Sequence, residues 1–142
     1  MQTTLKSDVS FEGIGLHSGT PVRVVLHPAS ANTGIVFRRT DIAEFPMLPA
    51  RWNDVVVSPL NTRLTNASGV TVSTIEHLMA ALAGCGVHNV IIDIDGPEVP
   101  ILDGSAASFV RGIVEAGLTR LSAPLRAIEI LKDVAVSDGP AF

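Results

Sequence analysis

Two periodicities take turns along this chain of 142 residues. Val22, Val24 and Leu26 alternate with Arg23, Val25 and His27, the period of two that lays one face of a strand on a core, and Pro28 closes the segment. Ile35, Phe37 and Arg38 with their neighbours form the next expected strand, after an Ala-Asn-Thr-Gly turn, and the two strands are expected to pair antiparallel. Upstream, Thr3 to Leu16 alternates more weakly and then meets Gly13, Gly15 and Gly19, which end a strand or let it pass close to another backbone. Pro46, Pro49 and Pro59 surround Trp52 and the run Val55-Val56-Val57, which reads as an irregular insert with one short strand. Thr62 to Thr65 and Val70 to Val72 flank Asn66-Ala67-Ser68-Gly69 as a hairpin, its glycine suited to a positive φ. With that hairpin the insert spans roughly residues 41–72.

The period then changes. Ile75, Leu78, Met79, Leu82 and Ala83 recur at helical spacing, stopped by Gly84 or Gly86, and Ser73-Thr74-Ile75-Glu76 has the spacing of a capping box. Val90, Ile92 and Ile94 restore the strand period, and Asp-Gly-Pro-Glu-Val-Pro is a turn-rich exit. A second helix is expected from Asp103 or Ser105, with Asp103 as cap, Ala106, Phe109, Val110, Ile113 and Val114 on one face, and Gly117 beyond its end. Leu125 to Val136 reads as a strand broken near Lys132-Asp133, and residues 136–142 as a strand leading into a turn. This order implies a single α+β domain over residues 1–142, a two-layer sandwich with two helices on one face of a mostly antiparallel sheet.

Composition narrows the function classes. A hydrophobic share of 46% against 17% charged excludes a disordered chain. The mean hydropathy of +0.40 is high, yet the longest run without a charged or strongly polar residue, Leu78 to Val87, is about half of the ~20 residues a membrane helix needs. With no basic-then-apolar leader, a cytoplasmic protein is expected. Ten basic residues against fourteen acidic give a net charge of −4, and Arg38-Arg39 is the only basic pair, so nucleic acid is not an expected partner. The single cysteine, Cys85, rules out an internal disulfide and reads as a small packed residue.

Candidate chemistry centres on Glu76 and His77. The carboxylate of Glu76 closes the capping box on one reading; on the other it takes a proton from an attacking water. His77 is either an ordinary helix residue or a metal ligand, and a hydrolytic zinc site takes three protein donors with a position left for water. The other histidines, His17, His27 and His88, sit in separate segments, so no local motif completes such a site. His17 lies between Gly15 and Gly19 and is either a turn residue or part of a loop that approaches a ligand. The glycines of Gly-Ile-Gly-Leu-His-Ser-Gly miss dinucleotide-binding spacing. Asp93, Asp95 and Glu98 invite a cation-site reading, but alternation puts the aspartates on the outward face of a strand, where solvation accounts for them.

The segments Phe11 to Asp41 and Val72 to Ala106 closely resemble the UDP-3-O-acyl-N-acetylglucosamine deacetylase family, the zinc hydrolases that commit the lipid A pathway of Gram-negative bacteria. The resemblance covers nearly the whole chain. It implies a two-domain enzyme with each half a β-α-α-β sandwich, Glu76 as general base and His77 as first ligand of a Zn(2+) ion. It further implies that Leu16, His17, Leu60, Asn61 and Thr62 lie against the substrate, a UDP-linked acylated N-acetylglucosamine, from which the 2-N-acetyl group leaves as acetate. The family's remaining ligands, in an H-K-x-x-D segment, do not occur in these 142 residues. The chain therefore resembles the N-terminal half of such an enzyme. Alone it is expected to be inactive, with an apolar face that favours self-association, whereas the full enzyme is expected to be monomeric. A non-catalytic binding or assembly module with the same fold is the alternative.

Overall fold

A computed structural model describes residues 1–137 and 139. The elements run β1 (Thr3–Leu5), β2 (Val9–Ile14), β3 (Pro21–Pro28), β4 (Ile35–Arg39), β5 (Met47–Pro49), a 3₁₀ turn (Trp52–Asp54), β6 (Val55–Val56), β7 (Arg63–Thr65), β8 (Thr71–Ser73), α1 (Glu76–Cys85), β9 (Val90–Ile94), α2 (Ala107–Ala116) and β10 (Leu118–Arg120). The main sheet has the order β2-β3-β9-β4-β5, and β6-β7-β8 and β1-β10 form two smaller sheets.

Alternation along β3 and β9 is the origin of the core. Val22, Val24 and Leu26 of β3, with Val90, Ile92 and Ile94 of β9, are buried to 5% exposure or less, and β3 pairs antiparallel with β9 in the register Val24↔Ile94 and Leu26↔Ile92. Leu78, Ala81 and Leu82 of α1 and Phe109 and Ile113 of α2 join these residues in one apolar cluster. The result is the expected two-layer α+β sandwich. α2 sits on β2 through an edge-to-face pair, Phe11 with Phe109, at a centroid distance of 4.9 Å.

β3 and β4 do not pair with one another. β9 lies between them, antiparallel to β3 and parallel to β4, so the expected two-strand antiparallel pairing is replaced by a mixed three-strand unit. The reason is burial: β9 carries an unbroken apolar alternation and takes a central place with a strand on each side.

α1 also starts differently from its capping-box spacing. Ser73 belongs to β8, Thr74 takes a left-handed φ of +57°, and Ile75 precedes the first helical residue with no side-chain cap. The sharp turn at Thr74 withdraws the Ser73 hydroxyl, which accepts a hydrogen bond from Arg63 Nε at 2.9 Å instead. α1 ends at Gly86, whose φ of +71° and N–H to the Ala83 carbonyl form a left-handed cap.

Asp103 does not cap α2, which begins at Ala107 without a side-chain cap. Its carboxylate accepts from the Ser105 N–H and hydroxyl, both at 3.0 Å, and Ser105 Oγ accepts from the Ala107 N–H at 3.1 Å. The Ser105 backbone and side-chain hydrogen bonds hold the Asp103 carboxyl below its ordinary range. The strand expected over Leu125 to Val136 is absent, and Ile128, Ile130, Leu131 and Val136 are at least 77% exposed. No sheet edge among the described residues receives that segment, so its alternation has no face to bury. The strand-to-turn expectation for 136–142 falls mostly outside the described residues. β10 pairs with β1, an element that the sequence reading did not anticipate.

Candidate active site

α1 and the hairpin before it meet at Thr62. The Thr62 N–H donates to Glu76 Oε2 at 3.1 Å, and the Thr62 carbonyl accepts from the Ile75 N–H at 3.4 Å. Glu76 is thus the first residue of α1, and its carboxylate faces the hairpin rather than closing a box with Ser73. The hairpin is anchored in turn by Arg39 of β4, which is 7% exposed. Arg39 Nη1 donates to the Thr71 carbonyl at 2.7 Å, while Nε and Nη2 donate to Asp41 at 2.8 and 2.7 Å. Those bonds, led by the side-chain hydrogen bonds from Arg39, hold the Asp41 carboxyl below its ordinary range.

Glu76 is half-buried and borders a cavity of about 260 Å³. The cavity's other walls are largely apolar, from Trp52, Val55, Leu64, Ile75 and Met79, with Thr62 and Arg51 at its margin. Trp52 is 89% exposed, so the cavity opens to solvent beside it. His77 is half-buried at the next position of the helix.

A second cavity, of about 320 Å³, lies on the other side of the hairpin between His17, Ser18, Asn61, Arg63, Ser73 and Glu98. It brings His17 and Asn61 to one opening. Asn61 Oδ1 accepts from the Ser58 hydroxyl at 2.8 Å. Leu16 and Leu60 line neither cavity and are exposed, at 57% and 75%.

Glu98, grouped by sequence with Asp93 and Asp95 in the cation-site reading, lies in a different setting from either aspartate. It is 3% exposed, and its carboxylate accepts from the Ser18 N–H at 2.7 Å, the His17 N–H at 3.0 Å and the Thr74 hydroxyl at 2.7 Å. Burial pushes the Glu98 carboxyl up, and the donors Thr74, His17 and Ser18 together outweigh that and leave it below its ordinary range. A signal was present: a Cβ at Gly15 would come within 2.6 Å of Glu98 Oε2, so the glycine-rich segment is built for close approach to that carboxylate.

Asp93 does face outward from β9, but an ion pair rather than water accounts for it. Arg38 Nε and Nη2 donate to its two oxygens at 2.6 and 2.8 Å, and His27 Nε2 lies 3.2 Å away. Burial raises the Asp93 carboxyl, but the Arg38 hydrogen bonds and charge, with His27, prevail and lower it. Asp95 Oδ1 accepts from the Arg23 N–H at 2.7 Å.

The donor set can be tested against a metal. No three His, Cys, Asp or Glu side chains among the described residues gather into a metal-holding group. His77, the residue after Glu76, offers one imidazole and lines neither cavity, which does not make up a complete zinc site. No helix among the described residues is long and apolar enough to cross a membrane.

Known proteins resemble the chain over nearly its whole length. Residues 2–142 match the family model described as UDP-3-O-acyl N-acetylglycosamine deacetylase. The chain is 51% identical over 138 residues to the UDP-3-O-acyl-N-acetylglucosamine deacetylase of Photobacterium profundum, and 51% identical over 141 residues to that of Vibrio cholerae. The protein of that name from Pseudoalteromonas atlantica is 48% identical over 138 residues. In each case 97% of this chain is covered and 45% of the relative, so the chain spans a little under half the length of these relatives.

Proposed function

Because the chain belongs to the UDP-3-O-acyl N-acetylglycosamine deacetylase family, we propose that it forms the part of such an enzyme that carries the general base, acting on the 2-acetamido group of a UDP-linked, 3-O-acylated N-acetylglucosamine. The reaction is hydrolysis of an amide: water adds to the acetyl carbonyl, acetate departs and the sugar keeps a free amine. The observation that carries this reading is the Glu76 carboxylate at the wall of an open cavity, with one oxygen fixed by the Thr62 N–H.

That geometry supports a defined task for Glu76. Its Oε2 is oriented by the backbone of the hairpin, which leaves Oε1 as the acceptor for a proton from the attacking water. The apolar walls reduce competition from bulk water for that carboxylate. Zinc, where present, supplies the polarisation of the carbonyl and the acidity of the water. His77 would be one donor for it, with the others supplied from outside the described residues. The proposed setting is the cytoplasm.

The test is Glu76→Gln in the full-length gene product that carries this sequence, assayed for acetate release with zinc supplied. The amide oxygen of glutamine still accepts from the Thr62 N–H, so the fold is kept while the base is lost. Turnover should fall by about 10²–10⁴-fold, the range of a general base. Wild-type turnover in a folded Glu76→Gln protein overturns the assignment. A folded wild-type protein that releases no acetate overturns the reaction itself and favours the binding-module alternative.

A further inference from the structure

We infer that Glu98, which the proposed chemistry does not use, is the positioning residue of this site: a buried carboxylate that ties the glycine-rich loop to the entry of α1 and so sets where Glu76 stands. The inference rests on the deacetylase reading for its catalytic consequence and on hydrogen-bond geometry for the rest.

Three separate donors converge on this one side chain. The N–H groups of His17 and Ser18 donate from the loop, and the Thr74 hydroxyl donates from the turn that launches α1. Neighbouring backbone bonds hold the same junction, from the Ser73 N–H to the Pro97 carbonyl at 2.9 Å and from the Val99 N–H to the Ser73 carbonyl at 3.0 Å. Thr74 sits at φ +57°, a conformation that a β-branched residue keeps only where its surroundings over-determine it. Glu98 supplies the side-chain half of that constraint. Glu76 follows two residues later, and its carboxylate meets the Thr62 N–H.

The clamp is specific in shape as well as in charge. Gly15 approaches Glu98 and Ser18 so closely that any Cβ would displace both side chains. Because the carboxylate only accepts and all its partners donate, removing it strands the donors, whereas glutamine can keep its oxygen toward the two loop N–H groups. In that case its NH₂ meets Thr74 Oγ1, which can rotate to accept.

The experiment compares Glu98→Ala, Glu98→Gln and Gly15→Ala in the full-length gene product. Amide exchange at His17 and Ser18 and the proton shift of the Thr62 amide are read without substrate, and kcat and KM are read with it. Glu98→Ala and Gly15→Ala should each speed exchange at His17 and Ser18 by about tenfold or more and move the Thr62 amide resonance. They should lower kcat by about 10–100-fold with a smaller change in KM. Glu98→Gln should restore much of both. A folded Glu98→Ala protein with protected loop amides, an unmoved Thr62 resonance or unchanged kcat overturns the inference, as does Glu98→Gln behaving like Glu98→Ala. A wild-type protein without deacetylase activity would instead sink the functional reading, while the amide signals would still score the clamp.

Discussion

Placing alanine at Gly112 sets two well-known effects against each other at one atom. Gly112 lies inside α2, where alanine is favoured over glycine by about 1 kcal/mol from helix propensity alone. A Cβ at that position would stand 2.7 Å from Phe11 Cζ, 2.8 Å from Phe11 Cε1 and 3.0 Å from Val9 Cγ2. Carbon atoms in contact settle at about 3.5–4.0 Å, so β2 and α2 must separate by roughly 1 Å or the ring must turn. Turning the ring disturbs its edge-to-face contact with Phe109, which is fully buried. Overpacking of this kind costs about 1–3 kcal/mol, and a spoiled aromatic pair adds about 0.5–1.5 kcal/mol. The clash outweighs the propensity gain, and Gly112→Ala should destabilise the chain by about 0.5–3.5 kcal/mol.

Urea unfolding followed by far-UV circular dichroism reads this directly, with a lower midpoint and an unchanged m-value. The decisive comparison is with Phe11→Leu, which removes the two closest atoms that the new methyl would meet and leaves only Val9 Cγ2 at 3.0 Å. In the Phe11→Leu background the alanine should cost less than about 0.5 kcal/mol, or stabilise, giving a coupling of about 1 kcal/mol or more. A rise in stability of about 1 kcal/mol on making Gly112→Ala alone would contradict the clash, because the helix would then be free of β2 at this point.

Further predictions concern charge, packing and association. The Arg38–Asp93 pair gives a stability term with a definite sign: the Asp93 carboxyl is lowered in the fold, so the term is full above the unfolded value of about 4 and fades as pH falls through the folded one. With Arg38 37% exposed the term is about 1 kcal/mol, and the stability difference between wild type and Asp93→Asn should shrink below about pH 4 in acid titrations followed by fluorescence. Leu82→Ala, at a fully buried position of α1, should cost about 2–5 kcal/mol in chemical denaturation. Arg39→Met should cost about 1.5–3 kcal/mol and increase proteolysis between Val55 and Val70, since it frees the Thr71 carbonyl from β4. Trp52, Val57 and Leu60 are each at least 75% exposed, and sedimentation of the isolated chain should show reversible self-association that weakens on Trp52→Ser.

The parts of the fold legible in the sequence were those that a single element decides alone. Val22, Val24 and Leu26, or Leu78 and Leu82, announce a face by spacing, and that face is buried wherever the element goes. Which strands become neighbours is decided elsewhere: the placement of β9 between β3 and β4 depends on how many apolar faces compete for the sheet centre. Ser73 to Glu76 shows the other limit. Its four residues have capping-box spacing, but one residue in the left-handed region moves the helix start, and the side chain that holds Thr74 there comes from Glu98, over twenty positions away. The Leu125 to Val136 alternation fails for a third reason, since a strand pattern needs a partner edge and none is offered among the described residues.

The same distinction separates the two halves of the candidate site. Glu76 and His77 stand out in the sequence because reactive side chains are recognisable by type, and the family resemblance implies the roles proposed for them. Their position is another matter. It is fixed by Thr62 accepting and donating across the hairpin, by Arg39 holding the Thr71 carbonyl, and by Glu98 gathering three donors, none of which is reactive in the proposed chemistry. Each of these contacts joins residues brought together by the fold rather than by adjacency. A carboxylate buried among donors and one exposed to water are the same letter in a sequence. What separates Glu98 from Asp95 is the glycine opposite it: a Cβ at Gly15 would collide with the carboxylate that accepts from the N–H groups of His17 and Ser18.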